Sequence, residues 1–141
     1  MREMTEAETK AFLLTGTRTG KLAWVSQSGA PHVAPIWFTL DGDDIVFNTH
    51  EDSGKAKAMA REGRACLLVD LEEPPYAFVK IDGTTSFEDD LDKVRSLATE
   101  IGGRYMGPDR AEEFGARNGV PSELVVRLTP TKITALDDVS G

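Results

Sequence analysis

Cysteine is almost absent from this 141-residue chain: Cys66 stands alone, so no disulfide can close within it and nothing points to an oxidising compartment. Histidine is scarce as well, with His32 and His50 only, and neither HxxxH nor CxxC spacing occurs, which leaves a zinc centre without a ligand set. Basic residues are outnumbered 16 to 24, and the net charge of −8 repels polyanions, so nucleic acid is not an expected partner. No stretch approaches the ~20 apolar residues of a membrane helix. The opening MREMTEAETK also lacks the apolar region of a secretion signal, and the expectation is a cytoplasmic protein without membrane contact. GxSxG and Walker loops are missing too, which removes two common catalytic frameworks.

What is present suits one domain spanning residues 1–141, since 40% apolar residues suffice for a core and no repeat, linker or low-complexity tract divides the chain. Thr5 and Glu8 have capping-box spacing, and Met4, Ala7, Ala11 and Leu14 share a helical face, so the chain is expected to open with a short amphipathic helix. LAWVS and HVAPIWFTL alternate around a Ser28-Gly29 turn, and DGDD leads into IVFNT, predicting a three-stranded antiparallel meander. Pro35 cannot donate a ladder hydrogen bond and is expected at an edge or a bulge. RACLLVD, from Arg64 to Asp70, reads as a buried strand. From Tyr76 to Phe87, Ala77, Val79 and Ile81 alternate with Tyr76, Phe78, Lys80 and Asp82, so two aromatics sit in an otherwise polar row. A helix is predicted from Asp90 to about Tyr105, kinked at Gly102-Gly103, and another from Pro108 to Asn118-Gly119. Glu123–Leu128 and Lys132–Asp137 are predicted as two strands separated at Pro130. Short strands joined by hairpin turns point to a mainly β, α+β antiparallel barrel rather than a parallel sheet.

The strongest local signal is FNTHEDSGKAKAMAREGR. Ser53 is a plausible N-cap, which places Lys55 at the second helical position and Lys57 one past the third. Lysines so early in a helix oppose the macrodipole by roughly 0.3–1 kcal/mol at an exposed site, and an anion would compensate them. Free N–H groups, the Ser53 hydroxyl and two ammonium groups together would form a cradle for phosphate. The same pattern is met by a solvated face whose lysines are neutralised by Glu51 and Asp52. His50 adjoins this segment, although a single loop histidine is usually incidental.

With these residues in place, the chain resembles the pyridoxamine 5′-phosphate oxidase-like split β-barrel superfamily, and within it the B-type flavin/deazaflavin oxidoreductases that use coenzyme F420. The resemblance is carried by RTGKLAWVSQSGAPHVAPIWFTLDGDDIVFNT, SGKAKAMAREGRACLLVD, IDGTTSF and LTPTKITALD in that order, and covers nearly the whole chain. It implies an FMN-binding-like split barrel that works as a homodimer, with the cofactor at the dimer interface. Lys55 would contact cofactor phosphate, with Ser53 and Lys57 beside it. Ala34, Pro35, Ile36 and Trp37 on one strand, and Phe47, Asn48 and Thr49 on its neighbour, would face the tricyclic ring. Tyr76 and Phe78 would line the ring pocket across the interface. For Trp37 and Phe47, ordinary core packing is an equal reading.

Within the resemblance the cofactor is F420 or, alternatively, FMN. Lys57, Arg61 and Arg64 extend the basic strip, which suits the phosphodiester and oligoglutamate tail of F420. The C-terminal region has no clear signature for pyridoxal phosphate recognition. The implied activity is hydride transfer from the C5 carbon of reduced F420 to an electron-poor small-molecule acceptor. That chemistry needs no side-chain nucleophile, and none is evident; Tyr76 and Tyr105 are candidate proton sources that nothing in the sequence separates. An FMN-dependent oxidase or reductase, or a non-catalytic cofactor- or haem-binding protein, would use the same fold.

Overall fold

The computed structural model describes residues 1–141. A two-residue strand β1 (Arg2–Glu3) precedes helix α1 (Glu6–Leu14), then β2 (Gly20–Val25), β3 (Pro31–Ile36), β4 (Thr39–Asp41) and β5 (Asp44–His50). Helix α2 (Gly54–Glu62), strands β6 (Arg64–Leu71) and β7 (Ala77–Glu88), helices α3 (Leu91–Met106) and α4 (Ala111–Asn118), and strand β8 (Glu123–Asp137) complete the chain. The strand order is β3-β2-β6-β7-β8-β5-β4, antiparallel throughout, with β1 paired to β8.

The two ends of that order decide the shape. β3 and β4 are its opposite edges, yet only Trp37 and Phe38 separate them in the chain. The sheet must therefore curl until its edges meet, without a hydrogen-bonded ladder between them. At this seam Phe38 is fully buried, and α3 supplies what a strand would have: the Phe38 N–H donates to the Tyr105 hydroxyl at 3.3 Å, and Arg104 donates to the Phe38 carbonyl at 2.7 Å. Backbone groups in a buried seam need such partners. The expected HVAPIWFTL strand is thus two strands on opposite edges, with the break at the seam. Pro35 is on edge strand β3, where its missing N–H costs no ladder bond.

The barrel interior is filled by Leu22, Phe38, Ile45, Phe47, Met59, Leu67, Val69, Val79, Ile81, Val126 and Leu128. Alternation sends Ile45 and Phe47 of β5 inward, while Val46 packs under α3 with Val94, Leu97, Ile101 and Val125. Strand β5 is consequently covered on both faces.

Several details differ from expectation. In α1 the capping box between Thr5 and Glu8 forms, but the inward residues are Thr9 and Leu13, and Leu14 is exposed. Pro130 does not divide β8; the register steps from Asp82↔Lys132 to Gly83↔Pro130, so a bulge at Thr131 absorbs it. Helix α3 runs through Gly102 and Gly103 without a break. A Cβ on Gly102 would stand 2.5 Å from the Phe114 Cβ, so this glycine is there to let α4 approach α3.

Candidate functional site

The N-cap of α2 forms as its sequence suggests. Ser53 has extended backbone geometry, and its hydroxyl accepts from the Ala56 N–H at 3.1 Å and shares a 3.1 Å hydrogen bond with Thr49. Unlike α1, α3 and α4, this helix has no acidic residue in its first turn. The Gly54 and Lys55 N–H groups find no acceptor in the chain. A Cβ placed on Gly54 would meet nothing within 4 Å, so the approach to the helix start is open. Neither Lys55 nor Lys57 forms an ion pair, and neutralisation by Glu51 and Asp52 is not realised.

Lys55 lines a cleft of about 420 Å³ together with Pro35, Ile36, Trp37, Asn48, Thr49 and Ser53. Seven residues from three sequence segments, named as candidates from the sequence, are thereby gathered in one recess. The volume falls within the roughly 300–1,000 Å³ of ordinary ligand sites. Its donors, the unpaired Lys55 ammonium group, the free Lys55 N–H and the Ser53 hydroxyl, with the Gly54 N–H adjoining at the helix start, fit a phosphate.

Other candidates stand elsewhere. Phe47 is fully buried in the barrel core, so its side chain cannot meet a ligand. Ala34 stands opposite the buried Leu22 and shares its inward face. Lys57 is exposed outside the cleft, Arg61 donates to the Val25 carbonyl at 2.7 Å, and Arg64 belongs to a different recess, so the basic strip runs away from the site. Tyr76 and Phe78 lie in a separate apolar depression with Leu68, Leu71 and Val139. Trp37 stacks on Tyr105 at 5.1 Å and tilts against Phe114, so it packs between helices and lines the cleft at once. The Tyr105 hydroxyl donates to the Arg18 carbonyl at 2.8 Å and accepts from Phe38; burial pushes its pKa up. It is a structural anchor more than a free acid.

Ile101, Asn118 and Glu123, which no local pattern in the sequence marks as ligand-facing, complete the cleft with His50. They arrive from α3, from the end of α4 and from the start of β8. Only the pairing of His50 with Glu123 across β5 and β8 brings the carboxyl there, and strand pairing is not a local signal. Burial pushes the Glu123 carboxyl up, and the charges of His50 and Lys55 pull it part of the way back. Burial and then the Asp82 carboxylate push the Cys66 thiol up, which disfavours its thiolate.

A larger recess of about 780 Å³ lies between α1 and the second half of β8, over Leu13, Leu40 and Ile81. It gathers none of the candidate residues. Its Lys10 is paired with Asp43, and its Asp44 with Arg127. The smaller cleft has the better claim, because it gathers the candidate residues at an open helix start, whereas the unpaired Lys132 of the larger recess lies on a strand.

A curled antiparallel sheet sealed at its seam by a helix, with an open helix start beside that seam, defines the split-barrel class. Within that class the chain belongs to the pyridoxamine 5′-phosphate oxidase family, whose profile matches residues 5–137. Among solved structures it is similar to the conserved hypothetical protein Rv2991 from Mycobacterium tuberculosis, with a TM-score of 0.85 and 22% identity over 97% of this chain and 87% of that one. It is also similar to an F420 reductase, with a TM-score of 0.72 and 21% identity over 95% and 98%. An FAD-binding protein from Mesorhizobium loti gives a TM-score of 0.70 and 15% identity over 95% and 93%. A search of curated proteins by sequence finds no match.

Proposed function

We propose that this protein is an F420H2-dependent reductase that binds the deazaflavin cofactor in the Lys55 cleft and reduces an electron-poor small-molecule acceptor. One observation carries the reading: an unpaired lysine on an acid-free helix start lines an open cleft in a chain of the pyridoxamine 5′-phosphate oxidase family. Likeness to an F420 reductase supports the choice of cofactor. When bound, reduced F420 supplies a hydride equivalent, so the chain itself needs no nucleophile.

The residues divide by task. Lys55, the Gly54 and Lys55 N–H groups and the Ser53 hydroxyl hold the phosphate, because cations and helix-start donors favour an anion together. Pro35 and Ile36, on an edge strand with one side free of ladder partners, and Asn48 on β5 orient the polar edge of the ring. Trp37, fixed by Tyr105 and Phe114, gives the cleft a rigid apolar wall that excludes water. Pre-set walls matter, since rate depends on holding donor and acceptor in alignment.

Homodimerisation completes the site in this reading. Leu68, Tyr76 and Val33 are exposed, and Phe78 adjoins the first two; burying this face against a second copy would bring aromatics toward the partner's cleft. FMN is the second reading, favoured by likeness to the FAD-binding protein. It predicts a yellow protein as purified.

Titration with F420, FMN and haem, followed by fluorescence or absorbance, tests the proposal. F420 is expected to bind with Kd of about 1 μM or tighter, and Lys55→Ala to weaken it by roughly tenfold or more. Negligible binding by both proteins would sink the reading. Tight binding without turnover across a panel of acceptors would indicate a carrier instead.

A further inference from the structure

The cleft assembled for a phosphate contains one carboxylate. Glu123 opens β8 opposite His50 and lines the recess with Lys55 and Ser53. It is partly buried and belongs to none of the chain's ion pairs. The other charged or titratable lining groups are Lys55 and His50; Glu51, Asp52 and Lys57 are exposed and outside the lining. An acid here works against any anion held by Lys55.

Repulsion grows with the charge of the ligand. A phosphomonoester carries about −1.5 to −2 at pH 7, because its second pKa is near 6. A phosphodiester has lost that second ionisation and carries a single charge. We propose that Glu123 is the residue that makes this a phosphodiester site: its carboxylate discriminates against doubly charged monoesters and tolerates a singly charged diester. The inference rests on the cofactor reading above and sharpens it, because F420 joins its tail through a phosphodiester whereas FMN ends in a monoester. Partial burial leaves the carboxylate poorly screened, consistent with the upward push on its pKa. With the basic strip directed away from the cleft, Glu123 is the one acidic group of the lining that separates a diester from a monoester at the phosphate itself.

Two probes with one ring isolate the effect: FMN and its phosphate methyl ester, with riboflavin as the phosphate-free reference, each titrated by flavin fluorescence. The wild type is expected to bind the methyl ester more tightly than FMN. Glu123→Gln, nearly isosteric, is expected to strengthen FMN by about tenfold and the ester by only about threefold, since linear electrostatics scales the gain with ligand charge. Glu123→Asp, which keeps the charge, is expected to keep the wild-type order. Preference of the wild type for FMN, or equal gains for both ligands in Glu123→Gln, would overturn the role of Glu123 while leaving the cleft intact. Failure of all three flavins and of F420 to bind wild type would instead overturn the cofactor reading, and this inference with it.

Discussion

The guanidinium of Arg104 donates to three carbonyls, those of Leu13, Gly16 and Phe38, at 2.7, 3.1 and 2.7 Å, and stacks over the Phe38 ring at 4.7 Å. It joins the end of α1, the following loop and the seam to α3, and it has no carboxylate partner. Burial lowers its pKa, yet the group stays charged. Arg104→Met is expected to cost about 2–3 kcal/mol in urea unfolding, because it leaves buried carbonyls without donors. Arg104→Lys should recover little, since an ammonium group cannot span the same fork. In the sequence this arginine is one more basic residue of an amphipathic helix. Lys55 was legible for the opposite reason: its position against the helix dipole depends only on Ser53 two residues before it. Glu123 was not, because its proximity to Lys55 comes from strand pairing.

Among elements, α3 and α4 meet through glycine. Gly102→Ala places a Cβ 2.5 Å from that of Phe114, and overpacking of this kind costs roughly 1–3 kcal/mol against about 1 kcal/mol gained in helix propensity. A net fall in Tm is expected, with a change in Trp37 fluorescence because Phe114 and Tyr105 form its packing surface. Helix α1 has a different dependence. Arg2 and the Thr5 cap hold the Glu8 carboxyl down to about 2 from its ordinary 4.5. A depressed carboxylate adds stability that is fully present above its unfolded value and is lost as pH falls through its folded value. Tm should therefore decline between pH 4.5 and 2, and Glu8→Gln should flatten that decline. The α1 cap, the α2 cap and the Ser28-Gly29 turn were readable because each is written within four residues. The continuity of β8 through Pro130 was not, since the bulge that absorbs the proline depends on the register of β7.

For the whole molecule, the outer sheet face sets the testable expectation. Leu68 stands opposite Lys80, and Asp70 opposite Phe78, so Leu68 and Phe78 share that face. In the proposed dimer, Leu68→Glu should shift sedimentation from two chains to one and weaken F420 by at least about tenfold with Lys55 untouched. A monomer that binds F420 as well as wild type would disprove the partner's contribution. Local chemistry in the sequence determined the antiparallel class, the helix starts and the lysine set against its dipole, because alternation, capping and turn preferences act over a few residues. Tertiary structure alone decided that β3 and β4 close a seam, that Phe47 turns inward, and that Glu123 enters the cleft. Each of these follows from which strands pair and how the sheet curls, and those choices are made by contacts between residues far apart in the chain.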